Sequence, residues 1–414
     1  MTVTAHEYEF LTTENIPDYI ASQPELARRI DSSNIVECKE VGDGNLNVVF
    51  IVTDGNGESL VLKQSLPYVR MTGEGWPMTP ERANREAHAL ARQYGADPVH
   101  TVSLFKHDPD RYVIAMEDLS SYTVWRTALN NGERHEGAAR QVGEFVARLA
   151  FATSVYGMDR FDYAQAVAET QNPDLCTITE DLVFTEPAFD IGRNEVLPAN
   201  EPDARALAED SIFVAAMGQA KFMFMTHAEA LIHGDLHTGS VMVRQANQGE
   251  LASSDVRVFD PEFAFYGPVA FDVGAVFANF TFASARARAL GEDERAQWCL
   301  DQVHELWEGF EVTFRELWAG RENPTVWDSA HCEWQLGQWL RESTLFASAK
   351  MARRIVGAAK VTDIQTLAPA VREHAARAVL RASRACAAGW QDIHASADFT
   401  RLVGDELTAI GTSR

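Results

Sequence analysis

Two short apolar runs with carboxylates at their ends constrain the fold of this chain more than any other feature. Val241–Val243 and Val256–Phe259 are predicted to form the two small strands of a hairpin. Asp235 lies in the loop before the first strand, whereas Asp260 and Glu262 directly follow the second. The pattern therefore predicts three carboxylates at one end of a rigid pair of strands.

Length and charge limit the classes of protein to which the chain can belong. At 414 residues it is too long for one ordinary core, so two domains are expected. The net charge of −24 argues against binding to nucleic acids or to an anionic membrane surface. No signal peptide is visible, and no apolar run approaches the ~20 residues of a membrane span. The five cysteines show no CxxC spacing, so we expect free thiols in a cytoplasmic protein.

A β-rich segment occupies the N-terminal part of the chain. Strands are predicted at Val36–Val41, Leu46–Thr53 and Ser59–Lys63, joined as an antiparallel meander. The turn Gly42–Asn47 resembles a glycine-rich phosphate loop, in which small residues let backbone N–H groups approach phosphate oxygens. A structural hairpin turn has the same composition, so both interpretations stay open. Asn47 also departs from the third glycine of the G-x-G-x-x-G pattern.

Lys63 ends the third strand and is a candidate for holding nucleotide phosphates, with an ordinary strand lysine as the alternative. A helix is predicted to begin with Thr79 as its N-cap and Pro80 at its first position. Glu86 on this helix is either the ion-pair partner of Lys63 or an exposed glutamate.

Two further strands are predicted at Val99–Phe105 and Tyr112–Met116. The segment Glu117–Leu119 then breaks the pattern. In a two-lobed nucleotide enzyme the backbone of such a hinge can bind the adenine edge, and a plain linker is compatible with that interpretation.

From residue 135 onward the pattern is mainly helical, with one long helix predicted over residues 203–231. Arg353 and Arg354 are adjacent in an apolar helical context. Either one of them is solvated and the other is salt-bridged, or the pair clamps substrate hydroxyls or neutralises the transferred phosphate. Trp76 lies in a loop rich in glycine and proline, where it is either a core anchor or part of a lid.

The carboxylates fit phosphoryl transfer from ATP, which needs in-line placement, a base near the acceptor hydroxyl and cations on the phosphates. Asp235 is placed as the base or as the group that orients the hydroxyl. Asp260 and Glu262 are separated by one residue after a strand, so both can face one side and bind Mg²⁺. Lys63 and the glycine-rich turn precede these acids in the order that a kinase requires.

These motifs resemble the aminoglycoside phosphotransferase and choline kinase branch of the protein-kinase-like fold, whose loop has the pattern H-G-D-x-H-x-x-N. Two residues depart from it, because Ser240 replaces the metal-binding asparagine and Glu262 belongs to a D-P-E motif. Both departures are typical of the 5-methylthioribose kinases. The motifs shared with that family lie at Gly42–Asn47, Leu66–Pro77, Met116–Leu119, Leu231–Ser240, Asp260–Asp272 and Arg353–Gly357.

The resemblance implies an α+β, two-lobed protein-kinase-like fold. Residues 1–117 would form a small nucleotide-binding lobe with an antiparallel sheet and helices, and residues 118–414 a larger, mainly helical catalytic and substrate lobe. The implied activity is ATP-dependent phosphorylation of the 1-hydroxyl of 5-methylthioribose, giving 5-methylthioribose 1-phosphate in methionine salvage, with Mg²⁺ as cofactor. A homodimer is also implied.

Roles for individual residues follow from the same resemblance. Asp235 would be catalytic, and Asp260 and Glu262 would bind Mg²⁺. The acceptor substrate would be bound by Asp235, Arg353, Arg354 and Trp76. The residues that would bind ATP are Gly44, Asn45, Asn47, Lys63, Glu117, Asp118, Leu119, Asp260, Pro261 and Glu262.

Two other interpretations stay open at this point. One is another small-molecule kinase of the same fold that acts on an aminoglycoside, choline or homoserine. Paired arginines argue against choline, which needs an aromatic or acidic cage, and against polycationic acceptors. The other is a degenerate kinase without activity, against which the joint presence of Lys63, Asp235 and Asp260 argues.

Overall fold

The computed structural model describes residues 8–42, 46–69, 73–245 and 254–409. Gly44 and Asn45, two of the residues predicted to bind ATP, lie outside the described residues, as does the side chain of Trp76. The chain divides into two units. The first unit comprises Met1–Tyr122 and Phe259–Glu262, and the second comprises Thr123–Val258 and Phe263–Arg414.

An antiparallel sheet forms the centre of the first unit. The strands of this unit are β1 (Ile35–Val41), β2 (Asn47–Asp54), β3 (Ser59–Ser65), β4 (Tyr68–Val69), β5 (Gly73–Pro77), β6 (Leu104–Asp108) and β7 (Val113–Met116). Five of them form one sheet in the order β1, β2, β3, β7, β6, and every neighbouring pair is antiparallel. The predicted meander is therefore confirmed as β1 to β3.

Helices lie against this sheet, namely α1 (Ile16–Ser22), α2 (Pro24–Ala27) and α3 (Arg82–Ala96). Apolar side chains of α1 and α2 share one core with Leu60 and Leu62 of β3. Successive side chains of a strand point to opposite faces of the sheet. Lys63 therefore lies on the face opposite to that core, where its partner Glu86 belongs to α3.

The second unit is mainly helical. Its strands are β8 (Thr123–Val124), β9 (Ala230–Ile232), β10 (Val241–Gln245), β11 (Ser254–Val258) and β12 (Phe265–Gly267). Its helices are α4 (Trp125–Asn130), α5 (Ala138–Thr153), α6 (Arg160–Glu169), α7 (Pro173–Thr179), α8 (Glu201–Ala208), α9 (Ser211–Thr226), α10 (Val269–Ala289), α11 (Asp293–Leu317), α12 (Ser329–Val356), α13 (Thr362–Gln365), α14 (Pro369–Gly389) and α15 (Ser396–Leu407). The predicted hairpin is confirmed, because β10 and β11 pair antiparallel with Val243 opposite Val256.

Helix α10 is buried along nearly its whole length, as expected for a helix that is apolar on all sides. It contacts α11, α12 and α14, so it forms the core of this unit. Among the described residues, no helix combines the length and the apolar character that a membrane span needs.

The strand predicted at Val99–Phe105 begins only at Leu104. The carboxylate of Asp97 accepts hydrogen bonds from the backbone N–H groups of Val99 and His100, each over 3.2 Å. These groups are therefore held in a turn and do not join the sheet.

The helix predicted to begin at Thr79 and Pro80 begins at Arg82. The N–H of Ala83 donates to the carbonyl oxygen of Pro80 over 3.0 Å, which closes a single turn. Proline therefore lies in the turn before the helix rather than at its first position.

The long helix predicted over residues 203–231 is also wrong, because the chain forms α8, α9 and β9 there. Asp210 accepts hydrogen bonds from the N–H groups of Ile212 and Phe213 and so caps the start of α9. An aspartate before an apolar run is a common N-cap signal, and it separates the two helices.

Candidate active site

Three carboxylates surround the ammonium group of Lys63 in the first unit. Lys63 is 6% exposed, and its Nζ atom lies 2.8 Å from Oε1 of Glu86 and 4.0 Å from Oε2 of Glu262. It also contacts Oδ1 of Asp260. Burial opposes the charge, but the three carboxylates outweigh burial and raise the pKa of Lys63. Glu86 is thus an ion-pair partner and not an exposed glutamate.

A second set of hydrogen bonds orients Glu262. Nδ2 of Asn47 donates to Oε2 of Glu262 over 2.7 Å. Oδ1 of Asn47 in turn accepts from Arg82, whose fully buried guanidinium also donates to the carbonyl oxygens of Leu46 and Leu66. Asn47, at the third glycine position of the G-x-G-x-x-G pattern, therefore positions a carboxylate. This role was not predicted from the sequence.

The acids of the first unit fit a divalent cation. One oxygen from each of Glu86, Asp260 and Glu262 lies within 4.8 Å of the other two, and ligands that are all oxygen suit Mg²⁺. Asp260 has a φ of 67°, which residues other than glycine rarely adopt. The side chain of Asp260 is 42% exposed, whereas the other two acids are buried. Burial raises the pKa of Glu86 and of Glu262, and a bound cation would oppose that effect.

The segment Glu117–Leu119 directly follows β7. The N–H of Glu117 donates to the carbonyl oxygen of Ser103 over 2.9 Å, and its carboxylate accepts from the N–H of Ser103 over 3.1 Å. The carboxylate of Asp118 accepts from the hydroxyl of Ser59 over 2.8 Å. Both acidic side chains thus fix the segment.

In the second unit, a buried carboxylate holds the loop that carries Asp235. The backbone N–H groups of His233 and Gly234 donate to Oδ2 and Oδ1 of Asp272 over 2.7 and 3.1 Å. Asp272 belongs to the first turn of α10 and is 2% exposed. The loop is therefore anchored to the central helix through its main chain.

Gly234→Ala should destabilise the protein, because Gly234 has a φ of 81° and an added Cβ would lie 2.1 Å from the carbonyl oxygen of Phe263. We expect a loss of about 1–3 kcal/mol from the backbone conformation alone, with a further loss from the clash. Urea denaturation followed by circular dichroism measures this change. The matched control is Gly218→Ala in α9, where an added Cβ has no atom within 4 Å and stability should stay equal or rise. Equal effects of the two variants would contradict the prediction.

Asp235 lies between a lysine and a histidine. Its Oδ1 atom is 3.3 Å from Nζ of Lys350, and its Oδ2 atom is 3.4 Å from Nε2 of His237. Burial opposes the charge on Asp235, but His237, Lys350 and Arg354 together hold the pKa of this carboxyl well below its usual range. Asp235 is therefore ionised at neutral pH and accepts hydrogen bonds.

Local bonds set the tautomer of His237. The N–H of Gly239 donates to Nδ1 of His237 over 3.0 Å, so the ring proton is on Nε2, which faces Asp235. Burial lowers the pKa of His237 to about 4, which keeps the imidazole neutral. The hydroxyl of Ser240 accepts from the N–H of His237 over 2.9 Å and lies 3.1 Å from the carbonyl oxygen of Asp235. Ser240 thus stabilises the loop.

Further cations gather near Asp235. Arg353 and Arg354 lie in the last turn of α12. Burial lowers the pKa of both, and the negative charge of Asp235 opposes this effect. Within the described part of the chain, Nε of Arg353 is buried without a hydrogen-bond partner. The positive charge of Arg126 also lowers the pKa of both arginines. With Lys350, these residues form a cationic cluster in a chain of net charge −24, which favours an anionic group.

Lys350 and Arg126 were not predicted as site residues. A signal for Lys350 was present, because it precedes Arg353 and Arg354 by three and four positions and therefore shares their helix face. No sequence pattern indicated Arg126 as a site residue. Its guanidinium donates to Oδ1 of Asn279 over 2.7 Å, and this contact exists only after folding.

Turnover should fall as the pH rises through about 8, because burial lowers the pKa of Lys350 to about 8. The folded protein then loses a cation beside Asp235 at alkaline pH. Lys350→Met should show lower turnover without this alkaline decline, which initial rates across neutral and alkaline pH would measure. The matched control is Lys360→Met, since burial also lowers the pKa of Lys360 to about 8, but its Nζ atom contacts carbonyl oxygens such as that of Ile355. An alkaline decline that disappears in Lys360→Met and persists in Lys350→Met would contradict the prediction.

The family model and the curated relatives agree on one family. The phosphotransferase enzyme family (APH) matches residues 37–310. The methylthioribose kinase of Pectobacterium carotovorum is 36% identical over 343 residues, which cover 80% of this chain and 83% of that protein. The methylthioribose kinase of Citrobacter koseri is 37% identical over 355 residues, which cover 83% and 86% of the two chains. Among solved structures, choline kinase from Cryptosporidium parvum matches at 12% identity with a TM-score of 0.47, covering 96% of this chain and 94% of that one.

The family match extends over more than half of the chain, and the matches to the two relatives extend over most of it. The predicted α+β kinase-like fold, the predicted kinase activity and the family indicated by the motifs are thereby confirmed. The chain belongs to the methylthioribose kinases of the phosphotransferase enzyme family.

Proposed function

We propose that the protein transfers the γ-phosphoryl group of ATP to the 1-hydroxyl of 5-methylthioribose, giving 5-methylthioribose 1-phosphate in methionine salvage. The observation that carries the proposal is the carboxylate of Asp235, 3.3 Å from Nζ of Lys350 and within a cationic cluster, in a member of this family. Asp235 accepts a hydrogen bond from the acceptor hydroxyl. The neighbouring cations stabilise the negative charge of the phosphoryl group.

The first unit is the nucleotide-binding lobe in this proposal. Lys63 binds phosphate oxygens, and its three carboxylate neighbours hold its Nζ atom in place. The turn with Gly44, Asn45 and Asn47 covers the phosphates, and the backbone of Glu117, Asp118 and Leu119 binds the adenine.

Asp260 and Glu262, joined by Pro261, are the residues that would hold Mg²⁺. Mg²⁺ held there would neutralise the phosphate oxygens of the nucleotide and the developing charge on the transferred group. The oxygen-only ligands and the fixed orientation of Glu262 support this assignment.

The second unit, in the same proposal, supplies the acceptor chemistry. The O1 atom of the sugar attacks the γ-phosphorus, the bond from this phosphorus to the bridging oxygen of ADP breaks, and the hydroxyl proton passes to Asp235. Since the pKa of Asp235 is low, the proton leaves late and orientation of the hydroxyl is the main contribution. Arg353 and Arg354 bind the sugar hydroxyls and the transferred phosphate, and Trp76 covers the acceptor. A cytoplasmic homodimer completes the proposal.

A comparison of acceptors tests the proposed function. ATP consumption would be measured with 5-methylthioribose, ribose, choline and kanamycin at equal concentrations, and ³¹P NMR would identify the phosphorylated oxygen. Turnover with 5-methylthioribose should exceed that with the other three, with the phosphate on O1. Equal or higher turnover with choline or kanamycin would instead support another small-molecule kinase of the same fold.

A further inference from the structure

We infer that His227, Glu229 and Glu342 form a binding site for a divalent metal ion of the Zn²⁺ class. All three residues belong to the second unit and are separate from the acids of the first unit. One nitrogen or oxygen of each residue lies within 4.8 Å of the corresponding atoms of the other two. Zn²⁺ holds such atoms at about 2.0–2.2 Å, so ligands of one ion lie within about 4 Å of each other. A rotation of the Glu342 side chain, whose Oε2 atom has no hydrogen-bond partner among the described residues, would close this difference.

Glu342 contributes a buried oxygen that no other described residue satisfies. It lies in α12, is 4% exposed, and accepts a hydrogen bond from Nε2 of Gln338 on Oε1 over 2.8 Å. Its Oε2 atom is buried without a hydrogen-bond partner among the described residues. A buried carboxylate oxygen in this state costs free energy, and a cation in the cluster removes that cost.

Glu229 faces the cluster in a fixed orientation. Its Oε2 atom accepts hydrogen bonds from the N–H of Val269 and from Nε1 of Trp339, each over 2.9 Å. Within the described ranges, neither Glu229 nor Glu342 forms an ion pair with an arginine or lysine. Burial raises the pKa of both glutamates, and for Glu342 the charge of Glu229 adds to this effect, which outweighs the opposing charge of Arg341.

His227 determines the class of metal. It follows directly after α9 and is partly exposed, and burial lowers the pKa of its ring, which is therefore neutral near pH 7. A neutral imidazole with two carboxylates suits Zn²⁺ and similar ions, whereas Mg²⁺ prefers ligands that are all oxygen. The partial exposure of His227 and Glu229 also leaves room for water as a further ligand.

A metal at this position would join the end of α9, the start of β9 and helix α12 in the second unit. Glu229 directly precedes β9, which leads into the loop with Asp235, and Glu342 lies on the helix that also carries Lys350. The ion would therefore stabilise the strand and the helix from which the residues around Asp235 extend.

Calorimetric titration of the full chain with Zn²⁺ in excess Mg²⁺ tests the inference. The wild-type protein should bind one Zn²⁺ per chain and melt at a higher temperature with it. Glu342→Gln keeps the size of the side chain but removes a direct ligand. Its affinity for Zn²⁺ should fall by more than about 10- to 100-fold, the loss that removal of an outer-shell partner causes. His227→Gln, at a partly exposed position, should show the same loss. Asp260→Asn should bind Zn²⁺ as the wild type does.

Three results would overturn the inference. The first is a wild-type chain that binds no Zn²⁺ in excess Mg²⁺. In that case the two glutamates share a proton, and Glu342→Gln should raise the stability of the protein at neutral pH. The second is unchanged affinity in both Glu342→Gln and His227→Gln. The third is binding that only Asp260→Asn removes, because Zn²⁺ would then occupy the acids of the first unit.

Discussion

Asp235→Ala should lower turnover by about 10²- to 10⁴-fold, the range that general acid–base groups contribute, while ATP binding stays nearly unchanged. The variant removes the only carboxylate within 4.0 Å of Lys350 among the described residues, and it leaves the lysine 4.1 Å from the ring centre of Phe271. In the proposed function, the acceptor hydroxyl then loses the carboxylate that accepts its hydrogen bond. Initial rates at saturating substrates, together with calorimetric titration of ATP, measure the two effects.

Two further variants complete this experiment. Asp235→Asn keeps the shape of the side chain and should lose activity to a similar extent, because the amide is neither a base nor an anion. Asp301→Ala removes an exposed aspartate of α11 and should leave turnover unchanged. Activity like that of the wild type in Asp235→Ala would remove Asp235 from the catalytic role.

Lys63→Met should destabilise the protein by about 3–5 kcal/mol, as expected when one partner of a buried ion pair is removed. Glu86 is fully buried and Glu262 is 7% exposed, so both carboxylates would remain in the interior without their cation. Urea denaturation at neutral pH measures the change. Lys106→Met provides the control, since the ion pair of Lys106 with Glu25 lies on the surface and its loss should matter far less.

A double variant separates the structural role of Lys63 from its role toward the nucleotide. Lys63→Met with Glu86→Gln removes both charges of the ion pair and should recover a large part of the lost stability. ATP binding should stay weak, because the amide of a glutamine does not replace an ammonium group near phosphates. Recovery of both stability and ATP affinity would show that Lys63 serves the fold alone.

Local patterns predicted the elements that carry the site. Alternating apolar residues and glycine-rich turns indicated β1 to β3 and the hairpin of β10 and β11, and these strands formed as expected. The pairing of Lys63 with Glu86 was one of two open alternatives, because a helix position alone does not show which strand face it covers. The boundary errors at residues 79–82 and 97–104 arose where a proline or an aspartate side chain closed a turn before the regular element began.

The hydrogen bonds and ion pairs of Asp235 and Glu262 were much harder to predict from the sequence. Lys350 reaches Asp235 across 115 positions of the chain, and Asn47 reaches Glu262 across 215. No local periodicity encodes such contacts, because they depend on how helices and strands pack. The cluster of His227, Glu229 and Glu342 escaped notice for the same reason, since Glu342 lies far from the other two along the chain.

The bond between Asp272 and the loop before β10 has an evolutionary consequence. Asp272 accepts hydrogen bonds from the main-chain N–H groups of His233 and Gly234. In the proposed function, other side chains that line the acceptor region can therefore change over time while the main chain before Asp235 stays anchored to α10. Such an anchor would let related enzymes adopt new acceptor alcohols and retain one and the same phosphoryl-transfer chemistry.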